Sequence, residues 1–413
     1  MRSLCLTALL VWSPVAAKEF FISATQAVVD GAALKVAPGD ALLLAAGERG
    51  PLTLRNIVGA PGRVITIRPA GGRVVVRAGE ATEFGVLTRR SSHFRLTGEG
   101  GGLEITGARQ GLRLDDLSSD FEIDHLEIHH VGFAGIMAKT DPTADPATQR
   151  GAFTMRNVSF HHNDVHQTGG EGFYIGHSFY DTGRKVGGGQ VFPHAIEGLR
   201  VYANRTRHTA ADGIQVSTAT VDCEIFDNVI EDYGEKPFDA HQNSGLMIGP
   251  GTGGEIHHNI IRRGTGNGIT LLGLGDFRVE NNFIGEAGEH GIFCDARPPA
   301  TNARGSRFVK NTIVSPRGDA MRLFYPTTAE SPHVVAENRL IAPGSGVFVG
   351  QRGRGVVVQS RGNVTVAAGA AGASASGPGA PDQAAEAVEA ILRGERTPRP
   401  FANAPRGGSA GAR

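Results

Sequence analysis

The run Ile256-His257-His258-Asn259-Ile260-Ile261-Arg262-Arg263-Gly264-Thr265-Gly266-Asn267-Gly268-Ile269-Thr270-Leu271 carries the unit from which this chain is built. An apolar residue stands three positions before an Asn, a second stands two positions after it, and Gly-Ile follows nine positions after it. The same frame recurs around Asn163, Asn204, Asn228, Asn282, Asn311 and Asn338. Phe160, Val201, Ile225, Val279, Phe308 and Val335 precede those asparagines. Val165, Ile230, Ile284, Ile313 and Leu340 follow all but Asn204, which has Thr206 instead.

Such self-similarity, with apolar residues alternating over four or five positions between Gly-rich turns, marks a stacked solenoid of strands. Helical repeats would need apolar residues at i, i+3, i+4 and i+7 over longer runs, which are absent. Coils stack at the strand spacing of roughly 4.8 Å. At that spacing an inward Asn at each bend can hydrogen-bond the Asn above and below, satisfying buried polar groups. The sequence therefore predicts an all-β, single-stranded, right-handed parallel β-helix with an Asn ladder. His125 is expected where later coils place Asn.

The chain has 413 residues, 59 of them glycine, and a formal net charge of +0, so nothing suggests the basic surface that nucleic acid needs. A solenoid grows along one axis without a larger core, so a single domain suffices at this length. Met1 to Ala17 combines Arg2, an apolar run from Leu4 to Trp12 and small residues at Ala16 and Ala17. It reads as a secretory signal, too short for a membrane span. The mature protein, a monomer, is then expected in the periplasm or outside the cell. Residues 18–366 form the predicted β-helix. Residues 367–413 form a low-complexity tail expected to be disordered, with a short helix near 383–393. Cys223 and Cys294 fall on inward positions of different strands, two coils apart. They are predicted to be buried free thiols, because a disulfide needs Cα atoms within about 7 Å.

Three insertions interrupt the uniform coils: Asp141 to Arg150, Ser178 to Ala195, and Glu235 to Gln242. They flank one strand column, which predicts walls around a groove. Strand alternation puts Tyr174, Gln215, Met247, Thr270, Phe293 and Arg322 on the outward line of that column. Glu171, Asp212, Ser244, Asn267, His290 and Asp319 make a second line just before the glycines. Glu171 and Asp212, on adjacent coils, are expected about 5 Å apart, near enough to raise one pKa. The expected catalytic set is Glu171, Tyr174, His177, Asp212, Asp239 and His241. Gln215, Lys236, His290, Phe293, Asp295 and Arg322 are expected to bind substrate, and Arg297 lies farther down the same groove. Asp212 and Asp319 have an equally simple reading as caps of backbone amides. The His129/His130, His161/His162 and His257/His258 pairs are expected on solvated turns, and Arg262 and Arg263 as surface charge. Ca²⁺ or Zn²⁺ ligands are conceivable in Glu171, Asp212, Asp239 and His241, but no metal-ligand spacing occurs, and no cofactor is predicted.

Two stretches resemble known families. Pro38-Gly39-Asp40-Ala41-Leu42-Leu43-Leu44, continuing to Val64-Ile65-Thr66-Ile67-Arg68-Pro69, resembles the opening of polysaccharide lyases of the chondroitinase B and alginate lyase type. That resemblance implies fold and compartment. Phe238-Asp239-Ala240-His241, after Tyr233-Gly234, is similar to the Tyr-Gly-Phe-Asp-Pro-His-Asp signature of mannuronan C5-epimerases, with Ala240 for Pro and Gln242 for the second Asp. It implies C5 proton abstraction beside a carboxylate. His241 would be the base, tuned by Asp239. Tyr174 or Tyr233 would donate a proton, and Arg322, Lys236 or Lys185 would neutralise the substrate of a lyase or epimerase acting on a uronate polysaccharide. The alternatives are a glycoside hydrolase using Glu171 and Asp212, Asp212-Gly213-Ile214 resembling polygalacturonases slightly, and a non-catalytic polysaccharide-binding solenoid.

Overall fold

The computed structural model describes residues 17–297 and 301–368. The expected signal segment, apart from Ala17, and the low-complexity tail from residue 369 on, with its expected helix, lie outside the described residues. What is described is a right-handed parallel β-solenoid with three strand columns. One column is a sheet of 12 strands running from Val28–Asp30 to Val349–Gln351. The other two belong to one 24-stranded sheet. In the first coils the long strands Ala41–Arg49 and Ile65–Arg77 run through the bend between them. Every coil-to-coil pairing is parallel, as in Ile225 opposite Ile256 and Val279 opposite Phe308.

The repeat is explained residue by residue. Each Asn of the frame gives its Nδ2 to the Oδ1 of the Asn one coil on, from Asn163 to Asn204 at 2.9 Å through Asn311 to Asn338 at 3.1 Å. The same Oδ1 also accepts the backbone N–H of the preceding Asn, as Asn282 does for Asn259 at 3.0 Å. The ladder runs one coil past the reading from sequence, to Asn363. At its start the expectation for His125 fails, because Leu126 holds the ladder position and donates its N–H to Asn163 Oδ1. His125 aligns with His162 and stacks on it, ring centroids 5.0 Å apart.

The residue before each Asn takes the left-handed conformation, for example His162 (φ 54°), Asp227 (φ 53°) and His258 (φ 56°). That single residue turns the chain from one column into the next, and the ladder hydrogen bonds offset the cost of a non-glycine there. The glycine of Gly-Ile has a packing cause. A Cβ on Gly213, Gly245, Gly268 or Gly291 would lie 2.3–2.4 Å from the Ile230, Ile261, Ile284 or Ile313 methyl of the next coil. The apolar residue after one Asn therefore demands the glycine of the coil before it.

The core is a continuous stack of Ile, Val, Leu and Phe, in which Phe94, Phe121, Phe160 and Phe173 follow one another at 5.6–6.2 Å. Cys223 and Cys294 are buried and free, as expected. One expectation for the outer faces is corrected. The first histidine of each pair is held in place, with Nε2 of His129, His161 and His257 at 2.9–3.0 Å from Glu104, Glu122 and Glu224 of the previous coil. His161, Tyr202, Phe226 and His257 also stack face to face at 4.7–5.1 Å. Arg262 and Arg263 are at the surface, as expected, and are paired there. With Arg205 they converge on Glu231, whose side chain is 3% exposed. Burial would raise that carboxyl, but the guanidinium hydrogen bonds outweigh it and hold it at about 2.

Candidate active site in the groove

The outward line of the 12-stranded column is confirmed by its register. Met137 pairs with Tyr174, Tyr174 with Gln215, Gln215 with Met247, Met247 with Thr270, Thr270 with Phe293, and Phe293 with Arg322. The second line is equally regular. The glycine N–H groups of Gly135, Gly172, Gly213, Gly245, Gly268 and Gly291 donate to the carbonyls of Glu171, Asp212, Ser244, Asn267, His290 and Asp319.

The insertions build the walls. Arg150, ending the first, donates its N–H to Phe192 O of the second and lays its guanidinium 3.7 Å from the centre of the Tyr180 ring. On its other side Tyr180 fills the space over Gly251, where a Cβ would lie 2.4 Å from the ring. The second insertion folds as a hairpin, Arg184–Val186 with Gly189–Val191. The third, carrying Phe238, Asp239 and His241, leans over the floor, and Phe238 meets Phe133 at 5.9 Å while Phe133 meets Tyr174 at 6.3 Å. Between the second and third insertions lies a cleft of about 540 Å³, with Gln215, Ser217 and Met247 in its floor and Asp181, Asp239, His241 and Arg297 around it.

Several predicted site residues sit elsewhere than expected. Glu171 and Asp212 do not stand in the groove but are sealed beneath it, each 0% exposed. Asp212 Oδ1 accepts the Ser244 N–H at 2.6 Å, which is the capping role, while Asp212 Oδ2 and both Glu171 carboxyl oxygens have no protein partner. Burial pushes the Glu171 carboxyl up to about 7, against the charge of Lys139. Burial also drives Asp212 well above the usual range, and neighbouring Glu171 adds to the effect. His177 lies past the strand Phe173–Ile175, buried, with Nε2 3.0 Å from Asp141 Oδ1. Its imidazole is pushed down by burial, despite Asp141. Tyr233 is entirely inside the core, burial raising its phenol, so it cannot donate to a substrate. Strand alternation places side chains on a line along the column but does not say whether that line meets water.

His241 and Asp239 are exposed on the third insertion. Asp239 Oδ1 accepts the backbone N–H of His241 at 3.0 Å, which shapes the loop. Lys236 is exposed on the same loop. Beside Tyr174 is a polar cluster, with Lys139 Nζ 4.8 Å from the Tyr174 ring centre and 3.3 Å from Asp141, and Arg113 between Asp115 and Asp141. Burial would raise the Asp141 carboxyl, but the His177 hydrogen bond and the charges of Lys139 and Arg113 outweigh it and hold it far below the usual range.

Farther along, His290, Phe293 and Arg322 form a separate group. His290 accepts the Asp319 N–H at Nδ1, stacks on Phe293 at 6.1 Å, and Arg322 Nε reaches Asp319 at 2.8 Å. Burial and Arg322 lower the His290 imidazole. Asp295 caps Ala296 N–H at 2.8 Å. Asp181 was not expected. Burial pushes its carboxyl up, partly offset by Arg150. Its signal in the sequence was only its place in an insertion that also contains Tyr180. Among the described residues, Glu122, Asp124 and His161, and Glu224, Glu255 and His257, bring possible metal donors within 4.8 Å of one another. Both groups lie off the groove and already hold arginines, Arg95 on Asp124 and Arg278 on Glu255.

Residues 195–371 match the family model described as right handed beta helix region. Among solved structures the chain is similar to an alginate lyase from Paenibacillus, with 16% identity and a TM-score of 0.50 over 83% of this chain and 99% of that one. It is also similar to the A-module of a mannuronan C-5 epimerase from Azotobacter vinelandii, with 15% identity and a TM-score of 0.53 over 80% of this chain and 87% of that one. A lacto-N-biosidase from Eubacterium ramulus gives 13% identity and a TM-score of 0.54 over 85% of this chain and 68% of that one. At such identities the likeness is one of fold. No curated protein matches the sequence.

Proposed function

We propose that this protein is an exported carbohydrate-active enzyme that processes a uronate-containing polysaccharide by proton abstraction at C5, as a lyase or an epimerase. The observation that carries the reading is the cleft itself, where an exposed imidazole, His241, and a guanidinium, Arg297, line one space over a strand column that continues to Tyr174. Abstraction next to a carboxylate needs a base near neutrality and a cation to stabilise the charge that develops on the carboxylate. His241 takes the C5 proton and Arg297 faces the carboxylate. Asp181, whose carboxyl burial has made a weaker acid, or Tyr174 delivers a proton. Given to the leaving glycosidic oxygen it completes β-elimination, and given to the opposite face of C5 it completes epimerisation. The alginate lyase and the C-5 epimerase of the same fold support the class of substrate.

A hydrolase remains the second reading, on different residues from those the sequence suggested. Glu171 and Asp212 are sealed, whereas Asp181 and Asp239 come from two separate walls of one cleft, as an acid and a second carboxylate must. Incubation with a panel of uronate and neutral polysaccharides separates these readings. Unsaturated product with new reducing ends means a lyase, new reducing ends alone a hydrolase, and altered uronate stereochemistry without cleavage an epimerase. No change in any polymer overturns the enzymatic reading and leaves a binding solenoid.

A further inference from the structure

The floor of the cleft carries polar atoms that the fold leaves unanswered. Gln215 is 2% exposed and Ser217 0%, yet Gln215 Oε1 and Ser217 Oγ have no protein partner, and neither does Gln242 Oε1 on the wall beside them. All three residues line the same cleft. A buried polar atom without a partner is costly, so three around one space call for an explanation. Such atoms are answered by ordered water or by a bound molecule.

The local backbone makes room for one of them. Gly249 also lines the cleft, and a Cβ there would come 2.1 Å from Ser217 Oγ. Any other residue at 249 would press on that hydroxyl. Met247 and Leu272, both nearly buried, complete the same floor with apolar surface.

We propose that Gln215, Ser217 and Gln242 form a subsite that reads the uncharged hydroxyls of a pyranose ring, with Met247 and Leu272 under its C–H face. A pyranose has both surfaces, an apolar face and an edge of hydroxyls that donate and accept. Each glutamine amide presents either oxygen or NH2 after a half-turn, and a hydroxyl answers both. A carboxylate only accepts, and the subsite holds no cation. The ring bound here therefore turns its neutral edge to the floor, and any carboxylate it carries points to Arg297 on the rim. The inference rests on the reading of the cleft as a glycan site and adds to it what the site recognises. Because sites built around a substrate hydroxyl reject analogues lacking it strongly, these residues would set specificity.

The test is binding, measured apart from turnover. The side-chain amide resonances of ¹⁵N-labelled protein, assigned with Gln215→Leu and Gln242→Leu, are followed while methyl glycosides of glucose, galactose, mannose, xylose and N-acetylglucosamine are added. At least one neutral glycoside should shift both amides. Ser217→Ala should weaken that glycoside at least fivefold, and Gln215→Leu should abolish binding. Gln215→Leu stays within the volume of the glutamine and removes an unanswered buried acceptor, so the free protein should remain folded with a thermal midpoint close to that of the native protein. Failure of every glycoside to move either amide overturns the proposal, as does unchanged affinity in both variants. Turnover of a uronate polymer with KM untouched by Gln215→Leu removes the subsite and keeps the enzyme. Glycoside binding without turnover of any polymer keeps the subsite and removes the enzyme.

Discussion

Replacing Glu171 by Gln should remove one component of the pH dependence of stability, the one that runs from the ordinary carboxyl value of 4.5 up to about 7. Glu171 is 0% exposed, both its carboxyl oxygens lack a protein partner, and burial raises its pKa from 4.5 to about 7. A group whose folded pKa lies above its unfolded value holds its proton more tightly in the folded state. Its contribution is fully present below pH 4.5 and is lost as pH rises through 7. At about 1.4 kcal/mol for each tenfold change in proton affinity, the loss amounts to about 3 kcal/mol. The charged groups facing it, Asp212 and Lys139, belong to the same cluster. Gln has the carboxyl's shape and no charge to acquire, so the stability of the native protein minus that of Glu171→Gln should fall by about 3 kcal/mol across the window, while Asp212 and His194, which titrate in both proteins, largely cancel in the difference. Denaturant unfolding of both proteins between about pH 4 and pH 8 reads that difference. Any pH-independent cost of the amide drops out, because only the change across the window counts. A variant curve parallel to the native one would refute the reasoning and mean that Glu171 has solvent or an unseen partner.

On the acid side His194 acts in the opposite sense. Burial lowers it to about 4, so its contribution is present above pH 6.5 and is lost as pH falls through 4, which acid titration of unfolding should show. His241→Ala and Asp181→Asn should each lower kcat at least 100-fold on the polymer identified by the panel, with thermal midpoints unchanged, since both side chains face the cleft. Asp212→Asn keeps an acceptor for the Ser244 N–H and should retain most turnover, and a large loss in kcat would return Asp212 to the chemistry. Asn259→Leu removes the ladder partner of Asn228 and Asn282 and should cost about 3–5 kcal/mol in denaturant unfolding. Cys223 and Cys294 should react with a thiol reagent only after unfolding, because burial raises both thiols, that of Cys223 to about 12.

The sequence by itself determined the solenoid, because its causes are local and repeat. One Asn per bend, an apolar residue on each side and a glycine facing the next coil's Ile are each required by the coil above and the coil below. They therefore appear as a period that can be read off the chain. The outward line from Tyr174 to Arg322 followed by strand alternation alone. The burial of Glu171 and Asp212 did not follow. Nor did the way the walls pack: Arg150 on Tyr180, Tyr180 over Gly251 and Phe238 toward Phe133 join segments far apart in sequence through contacts that no single coil encodes. The same loops brought Asp181 to Asp239 and Arg297. Strand positions are fixed by hydrogen-bond register, a short-range rule, whereas which side chain meets water depends on how irregular loops pack. Only the tertiary structure decided that.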